Sequence, residues 1–152
     1  MSRITPTGGG GIGWEEVATF DAVSTNLSVS VPGSEYDELA VKPSGEVKGF
    51  DEMRINGITA SEYSYIDNSD SGTFGTDRIQ LGLPSNRIQQ ITLSYSDYAG
   101  QVAVNVEPAS GGNGQATVAA SCGSAASIPI ESLQFLINNQ AAMRGKIYGR
   151  NL

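Results

Sequence analysis

Residues 130–152 read IESLQFLINNQAAMRGKIYGRNL, and this stretch organises the interpretation of the whole chain. Leu133, Phe135 and Ile137 alternate with neighbouring positions that are mostly polar. Successive side chains of a β-strand point to opposite faces, so the alternation predicts a strand with one buried face.

The same stretch predicts a second strand. The polar residues 138–140 interrupt the alternation as a turn would, and a short strand is expected over 144–148. An isolated hairpin is at best marginally stable in water, so we expect this strand pair to be built into a larger sheet. The expected core residues of the pair are Leu133, Phe135, Ile137 and Ile147.

Short strands are also predicted along the rest of the chain, where helical periodicity is almost absent. They lie at 14–23, 27–31, 36–41, 53–55, 63–65, 79–83, 91–95, 102–106 and 115–121. A spacing of roughly 8–12 residues between strands is typical of antiparallel sandwiches. The sequence therefore predicts an all-β fold, an antiparallel β-sandwich of jelly-roll type with about 8–10 strands.

Length and charge limit the possible partners. The chain has 152 residues, enough for one domain with a real core, and we assign 14–152 to it. A formal charge of −7 would repel a nucleic-acid backbone, so we expect no binding to DNA or RNA. No apolar run is long enough for a membrane span or a signal peptide, so we expect neither a membrane partner nor secretion.

Residues 1–13 form a glycine-rich, extended N-terminal arm, with four glycines in a row at 8–11. Such a run loses too much conformational entropy to become ordered by itself. A neighbouring subunit is the plainest partner to hold it, so we expect the arm to form a subunit interface in a homo-oligomer. The candidate interface residues are Arg3, Ile4, Pro6, Ile12 and Trp14.

The residue types that many catalytic and metal sites require are missing. There is no histidine, which removes Ser-His-Asp triads, Cys-His pairs and the usual zinc sites. Cys122 is the only cysteine, and its small apolar neighbours predict a buried thiol rather than a nucleophile. We therefore expect no catalytic residues, no cofactor and no enzymatic activity.

Two acidic segments have a second interpretation. Glu35, Asp37 and Glu38 could supply the paired carboxylates of a glycosidase, although a solvated strand edge explains them more simply. The polar loop 67–75 resembles a calcium loop, but Arg78 stands where an EF-hand-like loop would require glutamate. A solvent-facing loop is the preferred interpretation, with a looser calcium site as the alternative.

Aromatic residues suggest a possible sugar surface. Flat aromatic faces contact pyranose rings, although aromatic side chains in a sandwich more often belong to the core or to a subunit interface. Glycan binding is therefore kept as the alternative to packing. The residues concerned are Tyr63, Tyr65, Tyr95 and Tyr98, together with Trp14.

Several short motifs occur in an order that resembles a known family. They are WEEV at 14–17, YDELAV at 36–41, MRING at 53–57, EYSY at 62–65, IESLQF at 130–135 and RGKIYG at 144–149. Together they resemble the jelly-roll β-sandwich domain of structural proteins of tailed bacteriophages, including tail-fibre and head-decoration proteins. The family pattern resembles L-R-x-N-G-D-x-G-x-N-Y-x-Y in the middle and I-T-S-I-x-F with G-S-x-x-x-L-Y-G near the end.

The match covers most of 14–152, and the arm lies outside it. Asn56-Gly57 and Tyr63-Ser64-Tyr65 match the middle pattern. Two departures stand out: Gly57 is followed by Ile58 instead of aspartate, and QAAMR at 140–144 replaces an aromatic-containing turn.

The resemblance implies a non-enzymatic virion protein that is assembled in the host cytoplasm, forms homo-oligomers and binds other capsid or tail subunits. A decoration (cement) protein of the capsid and a tail-accessory protein both fit. The alternative from another class is a carbohydrate-binding, host-receptor module of a phage fibre. A glycosidase is the third reading, and it requires two facing acids in a groove.

Overall fold

The computed structural model describes residues 13–23, 26–43, 52–67, 72–81, 88–96, 101–108, 117–136 and 142–152. These residues form twelve β-strands and two single turns of 3-10 helix. The strands are β1 (Glu15–Val23), β2 (Leu27–Ser30), β3 (Glu38–Pro43), β4 (Glu52–Ile55), β5 (Tyr63–Asp67), β6 (Gly72–Thr76), β7 (Ile79–Gln80), β8 (Ile88–Ser96), β9 (Gln101–Pro108), β10 (Thr117–Cys122), β11 (Ser132–Leu136) and β12 (Ala142–Arg150). The predicted all-β class is confirmed, with more strands than expected.

The strands form two antiparallel sheets. The large sheet has eight strands in the order β1-β12-β3-β8-β9-β10-β5-β6, and the small sheet has four in the order β2-β11-β4-β7. From β1 to β4 the chain alternates between the large and the small sheet, and it does so again from β7 to β8 and from β11 to β12. The strands β9, β10, β5 and β6 extend the large sheet beyond β8. The predicted antiparallel sandwich is confirmed.

Side chains from both sheets form one core. The rings of Phe20 in β1 and Phe135 in β11 stack between the sheets, with their centres 5.3 Å apart. Leu133, Phe135 and Ile147 are buried as predicted, and Ile137 lies outside the described residues. The largest fully buried side chains are Tyr63, Phe135, Leu39, Met53, Ile55, Ile79, Leu81, Ile91, Leu93, Ile130 and Leu133.

The last two strands do not pair with each other, so the expected hairpin is wrong. β11 lies between β2 and β4 in the small sheet. β12 lies between β1 and β3 in the large sheet. Alternation of apolar residues identifies a strand, but it carries no information about the strand's partner. Because both strands are paired on both edges, the stretch ties the two sheets together instead of extending one of them.

The turn after β4 holds the crossing between the sheets. Asn56 and Gly57 have φ values of 54° and 66°, and the Ile58 N–H donates to the Ile55 carbonyl at 3.0 Å. Asparagine and glycine tolerate this left-handed backbone better than other residues. β4 belongs to the small sheet and β5 to the large one, so this turn redirects the chain and closes no hairpin.

The Asn56 side chain forms hydrogen bonds with four backbone groups in the segment that leads into β11. Its amide nitrogen donates to the carbonyls of Ala126 (2.8 Å) and Pro129 (2.9 Å). Its amide oxygen accepts from the N–H groups of Glu131 (2.7 Å) and Ser132 (3.0 Å). Asn56 therefore fixes the turn and the entry to β11 at the same time.

Tyr63 holds the other side of the same turn. Its hydroxyl accepts a hydrogen bond from the Ile55 N–H at 3.0 Å and donates to the Ile58 carbonyl at 2.9 Å. The side chain is fully buried. Tyr63 thus links β5 of the large sheet to the end of β4 in the small sheet.

Replacing Tyr63 with phenylalanine keeps the ring and removes only the hydroxyl. The buried Ile55 N–H then loses this acceptor, so we expect the free energy of unfolding to fall by about 1–3 kcal/mol. Urea denaturation followed by Trp14 fluorescence measures the change. The control is Tyr65→Phe on the same strand, whose exposed hydroxyl is 3.4 Å from the Gln80 amide oxygen. We expect a change below about 0.5 kcal/mol there, and equal effects of the two variants would contradict the role of Tyr63.

The difference in stability between the wild type and Tyr63→Phe should also depend on pH. Burial raises the pKa of Tyr63 to about 12. The pKa of tyrosine in an unfolded chain is about 10, so this contribution to stability is complete below about pH 10 and is lost as the pH rises towards 12. The difference in unfolding free energy between the wild type and Tyr63→Phe should therefore shrink over that interval. A difference that stays constant would argue against a buried hydroxyl.

Candidate functional site

The tyrosines that could have formed a sugar surface are largely used by the fold. Tyr63 is fully buried, so it packs in the core, the preferred interpretation, and is not accessible as a glycan contact. Tyr65 and Tyr95 are partly buried and pack against the core. The Tyr95 hydroxyl donates to the Gly33 carbonyl at 2.7 Å and accepts from the Ile130 N–H at 3.1 Å. The alternation in β5 places Tyr63 and Tyr65 on one face, but only the structure shows that this face is the inner one.

Trp14 is engaged by its own chain. The Arg150 guanidinium lies 4.3 Å from the centre of the Trp14 ring, and it also forms a salt bridge with Glu38 at 2.9 Å. The cation–π contact joins the start of β1 to β12, and the salt bridge joins β12 to β3. Arg150 therefore has partners within the chain, as does Lys146, whose Nζ is 3.0 Å from Glu16.

The remaining residues of the arm interface and of the sugar surface lie outside the described residues, and the predictions for them stay predictions. They are Arg3, Ile4, Pro6, Ile12 and Tyr98.

The acidic residues that were weighed as catalytic carboxylates do not face each other across a described groove. Glu35 is exposed on a 3-10 turn, and Asp37 accepts a hydrogen bond from the Leu152 N–H at 2.7 Å. Glu38 is bound by Arg150. In the part of the chain that the structure describes, no group of three or more histidine, cysteine, aspartate or glutamate residues could hold a metal ion.

An ion-pair network joins β4 to the segment before β7. Asp77 lies between two arginines, with Oδ2 3.3 Å from Arg54 and Oδ1 3.1 Å from Arg78. Arg78 also pairs with Glu52 at 3.3 Å. The hydrogen bond from Arg78 holds the pKa of the Asp77 carboxyl below its ordinary value. These charged side chains pair with one another, so the network is a structural link between β4 and the segment before β7.

An apolar groove on the outer face of β5, β6 and β10 is the strongest candidate for a binding site. Its volume is about 220 Å³, and no residue that lines it is charged. We call it the Phe74 groove. Its lining residues are Ser64, Tyr65, Ile66, Phe74, Ala119, Ala120 and Ser121.

The pairing of β5 with β10 explains this groove. Ala119 lies opposite Ile66 and Ser121 lies opposite Ser64, so these residues share the outer face while Tyr63 and Cys122 share the inner one. The alanine and serine side chains are small, so the surface is recessed at these positions. Ile66, which borders the groove, is 42% exposed.

Phe74 is the most exposed large apolar side chain of the described residues, at 75%. The pairing of β5 with β6 is irregular between Tyr63 and Tyr65, and Gly75 has a φ of 67°. A bulge of this kind redirects the neighbouring side chain. The Phe74 ring folds back beside Gly72, where an added Cβ would meet ring atoms at 3.1 Å. The ring is therefore held over the outer face, where water surrounds most of it.

The sequence did not reveal this surface. Residues 67–75 were read as a polar loop, but β6 occupies 72–76, so that part of the prediction is wrong. Residues 68–71 lie outside the described ranges. The signal that could have been noticed is Phe74, a single aromatic residue in an otherwise polar, glycine-containing segment.

Comparison with known proteins does not identify the chain: no family model, no curated protein and no solved structure matches it. Within the described ranges, no helix has the length and apolar character needed to cross a membrane. Functional inference therefore rests on the strand order and on the surface of this fold.

The free thiol of Cys122 gives a direct test of the buried inner face. Cys122 is fully buried, and burial raises the pKa of its thiol. We expect the folded protein to react with Ellman's reagent at least about 100-fold more slowly than the urea-unfolded protein, because the thiolate is the reacting species. A folded-state rate close to that of the unfolded chain would contradict this arrangement and would reopen Cys122 as a reactive residue.

Proposed function

We propose that this protein is a jelly-roll structural subunit of a tailed-bacteriophage virion, without enzymatic activity. It binds copies of itself and other capsid or tail subunits, as a decoration (cement) or tail-accessory protein, and is assembled in the host cytoplasm. The single observation that carries the proposal is the order in which the strands pair.

Eight of the twelve strands pair in a nested series. β1 pairs with β12, β2 with β11, β3 with β8 and β4 with β7. This is the pairing of one long hairpin rolled up so that its strands alternate between two sheets. Jelly rolls of this form recur in viral capsid proteins and in lectins. In this proposal, the remaining strands β5, β6, β9 and β10 are additions to the large sheet of a jelly roll.

The distribution of charge supports a structural role. The described salt bridges link strands to one another, as Arg150 does with Glu38 and Arg78 with Glu52. Among the described residues, those that line the Phe74 groove take no part in these salt bridges. An apolar surface without charged groups suits a contact between subunits better than it suits catalysis. The sequence motifs that resemble phage structural proteins point the same way.

A carbohydrate-binding module is the second candidate, since jelly rolls also occur in lectins. The observation that favours it is the exposed Phe74 ring beside the hydroxyls of Ser64 and Ser121. On this reading a glycan array would show binding by the wild type that Phe74→Ala abolishes. Leu152→Ala, which changes an exposed apolar residue outside the groove, would leave that binding unchanged. Absence of binding by the wild type at millimolar sugar would eliminate this candidate.

Removal of residues 1–13 tests the virion role. Strand β1 begins at Glu15, and Trp14 keeps its contact with Arg150, so we expect the truncated protein to fold. We expect it to be lost from particles, because the arm is proposed to hold the neighbouring subunit. The truncated and full-length proteins would each be supplied during infection by a phage that lacks this gene, and purified particles would be analysed by mass spectrometry.

The control for this experiment is Gly10→Ser, which keeps the length of the arm. It should enter particles as the wild type does. Normal incorporation of the truncated protein would refute the role of the arm. Absence of the full-length protein from particles would refute the virion role itself.

A further inference from the structure

We propose that the Phe74 groove is a self-association surface, in which two copies of this chain each place Phe74 in the groove of the other. This inference rests on the part of the proposed function in which copies of the chain associate, and it names the surface and the partner. It does not require that the protein be part of a virion.

The groove and its occupant have matching size. A volume of about 220 Å³ accommodates an aromatic ring, and the side chains of Ala119, Ser64 and Ser121 at its floor are small. In a two-fold symmetric dimer the same patch must supply both the inserted group and the cavity that receives it. The Phe74 groove contains both, because Phe74 stands at its rim and is 75% exposed. Two rings that meet in this way can adopt the offset stacking that aromatic pairs prefer.

The position of β6 makes the patch accessible to a second copy. β6 is the last strand of the large sheet and pairs only with β5 among the described strands. A strand with an unpaired edge is usually protected by charged residues or proline. β6 has the sequence GTFGT, which contains neither. Apart from the bulge at Gly75, nothing in the strand itself opposes the approach of another chain.

Two copies of this chain should repel each other less when they meet at the groove than when they meet elsewhere on their surfaces. The chain carries a net charge of −7, so two copies repel each other at most orientations. The residues that line the groove are uncharged, so contact there brings no like charges into direct apposition. A charged ligand, in contrast, would find no partner in the groove.

The area of the patch predicts a weak dimer. An aromatic side chain can bury about 200 Å², so two Phe74 side chains that are three-quarters exposed contribute on the order of 300 Å². Stable interfaces bury roughly 1,200–2,000 Å². We therefore expect only weak self-association, which becomes effective when subunits are held side by side by other contacts.

Sedimentation equilibrium of the purified full chain, from about 10 μM to 1 mM, tests the proposal. The wild type should associate increasingly with concentration, and Phe74→Glu should weaken the association at least about tenfold. The control is Leu152→Glu, which replaces an equally exposed apolar residue (72%) outside the groove and should associate as the wild type does. Near-ultraviolet circular dichroism establishes that each variant is folded, as expected for changes at exposed positions.

A second variant tests the groove without changing Phe74. Ala119→Phe fills the floor of the groove from an exposed position, and it should also weaken the association at least about tenfold. The proposal is overturned if the wild type is monomeric at 1 mM, or if either groove variant associates normally. It is also overturned if deletion of residues 1–13 abolishes the association, because the arm would then be the occupant, or if a glycan fills the groove without competing with association.

The two proposals fail in different ways. A protein that self-associates through Phe74 but is absent from particles leaves this inference standing and removes the virion role. A monomeric protein that is nevertheless incorporated into particles does the opposite.

Discussion

The fold depends on how the chain crosses from the small sheet to the large one after β4. At this crossing the backbone leaves one hydrogen-bonded ladder before it enters the next, and a buried N–H group without a partner would be strongly destabilising. The Tyr63 hydroxyl accepts from the buried Ile55 N–H and donates to the Ile58 carbonyl. The Asn56 side chain joins the same turn to four backbone groups of residues 126–132, which lead into β11. Since this crossing positions β5, it also positions β6 and β10, which pair with β5.

The same crossing accounts for the surface that the molecule offers to partners. With Tyr63 directed inward, Ser64 and Ile66 must face outward, because side chains alternate along a strand. The neighbouring β10 adds small residues there, and the bulge in β6 turns Phe74 over them. On other parts of the described surface, charged side chains such as Arg150 and Glu38 are joined in pairs. The Phe74 groove is uncharged in contrast.

Most strands could be predicted because apolar alternation is a local property of the sequence. The strand at 132–136 is predicted in this way. β6 was missed, because its glycines and the polar residues before it have the composition of a loop, and strand pairing alone makes it a strand. Tyr63 is predicted on the correct strand, with packing preferred over glycan binding, and the structure shows that it faces the core. The alternation of side chains along a strand assigns residues to two faces, but it does not show which face the second sheet covers.

By itself the sequence determined the all-β class, the position of most strands and the lack of histidine chemistry. These follow from composition and from patterns that span only a few residues. Only the tertiary structure decided that β11 and β12 lie in different sheets, that Tyr63 is a buried link between the sheets and that Phe74 is exposed at a sheet edge. The reason is that pairing and burial depend on contacts between residues far apart in the chain, such as Phe20 with Phe135 or Asn56 with Glu131.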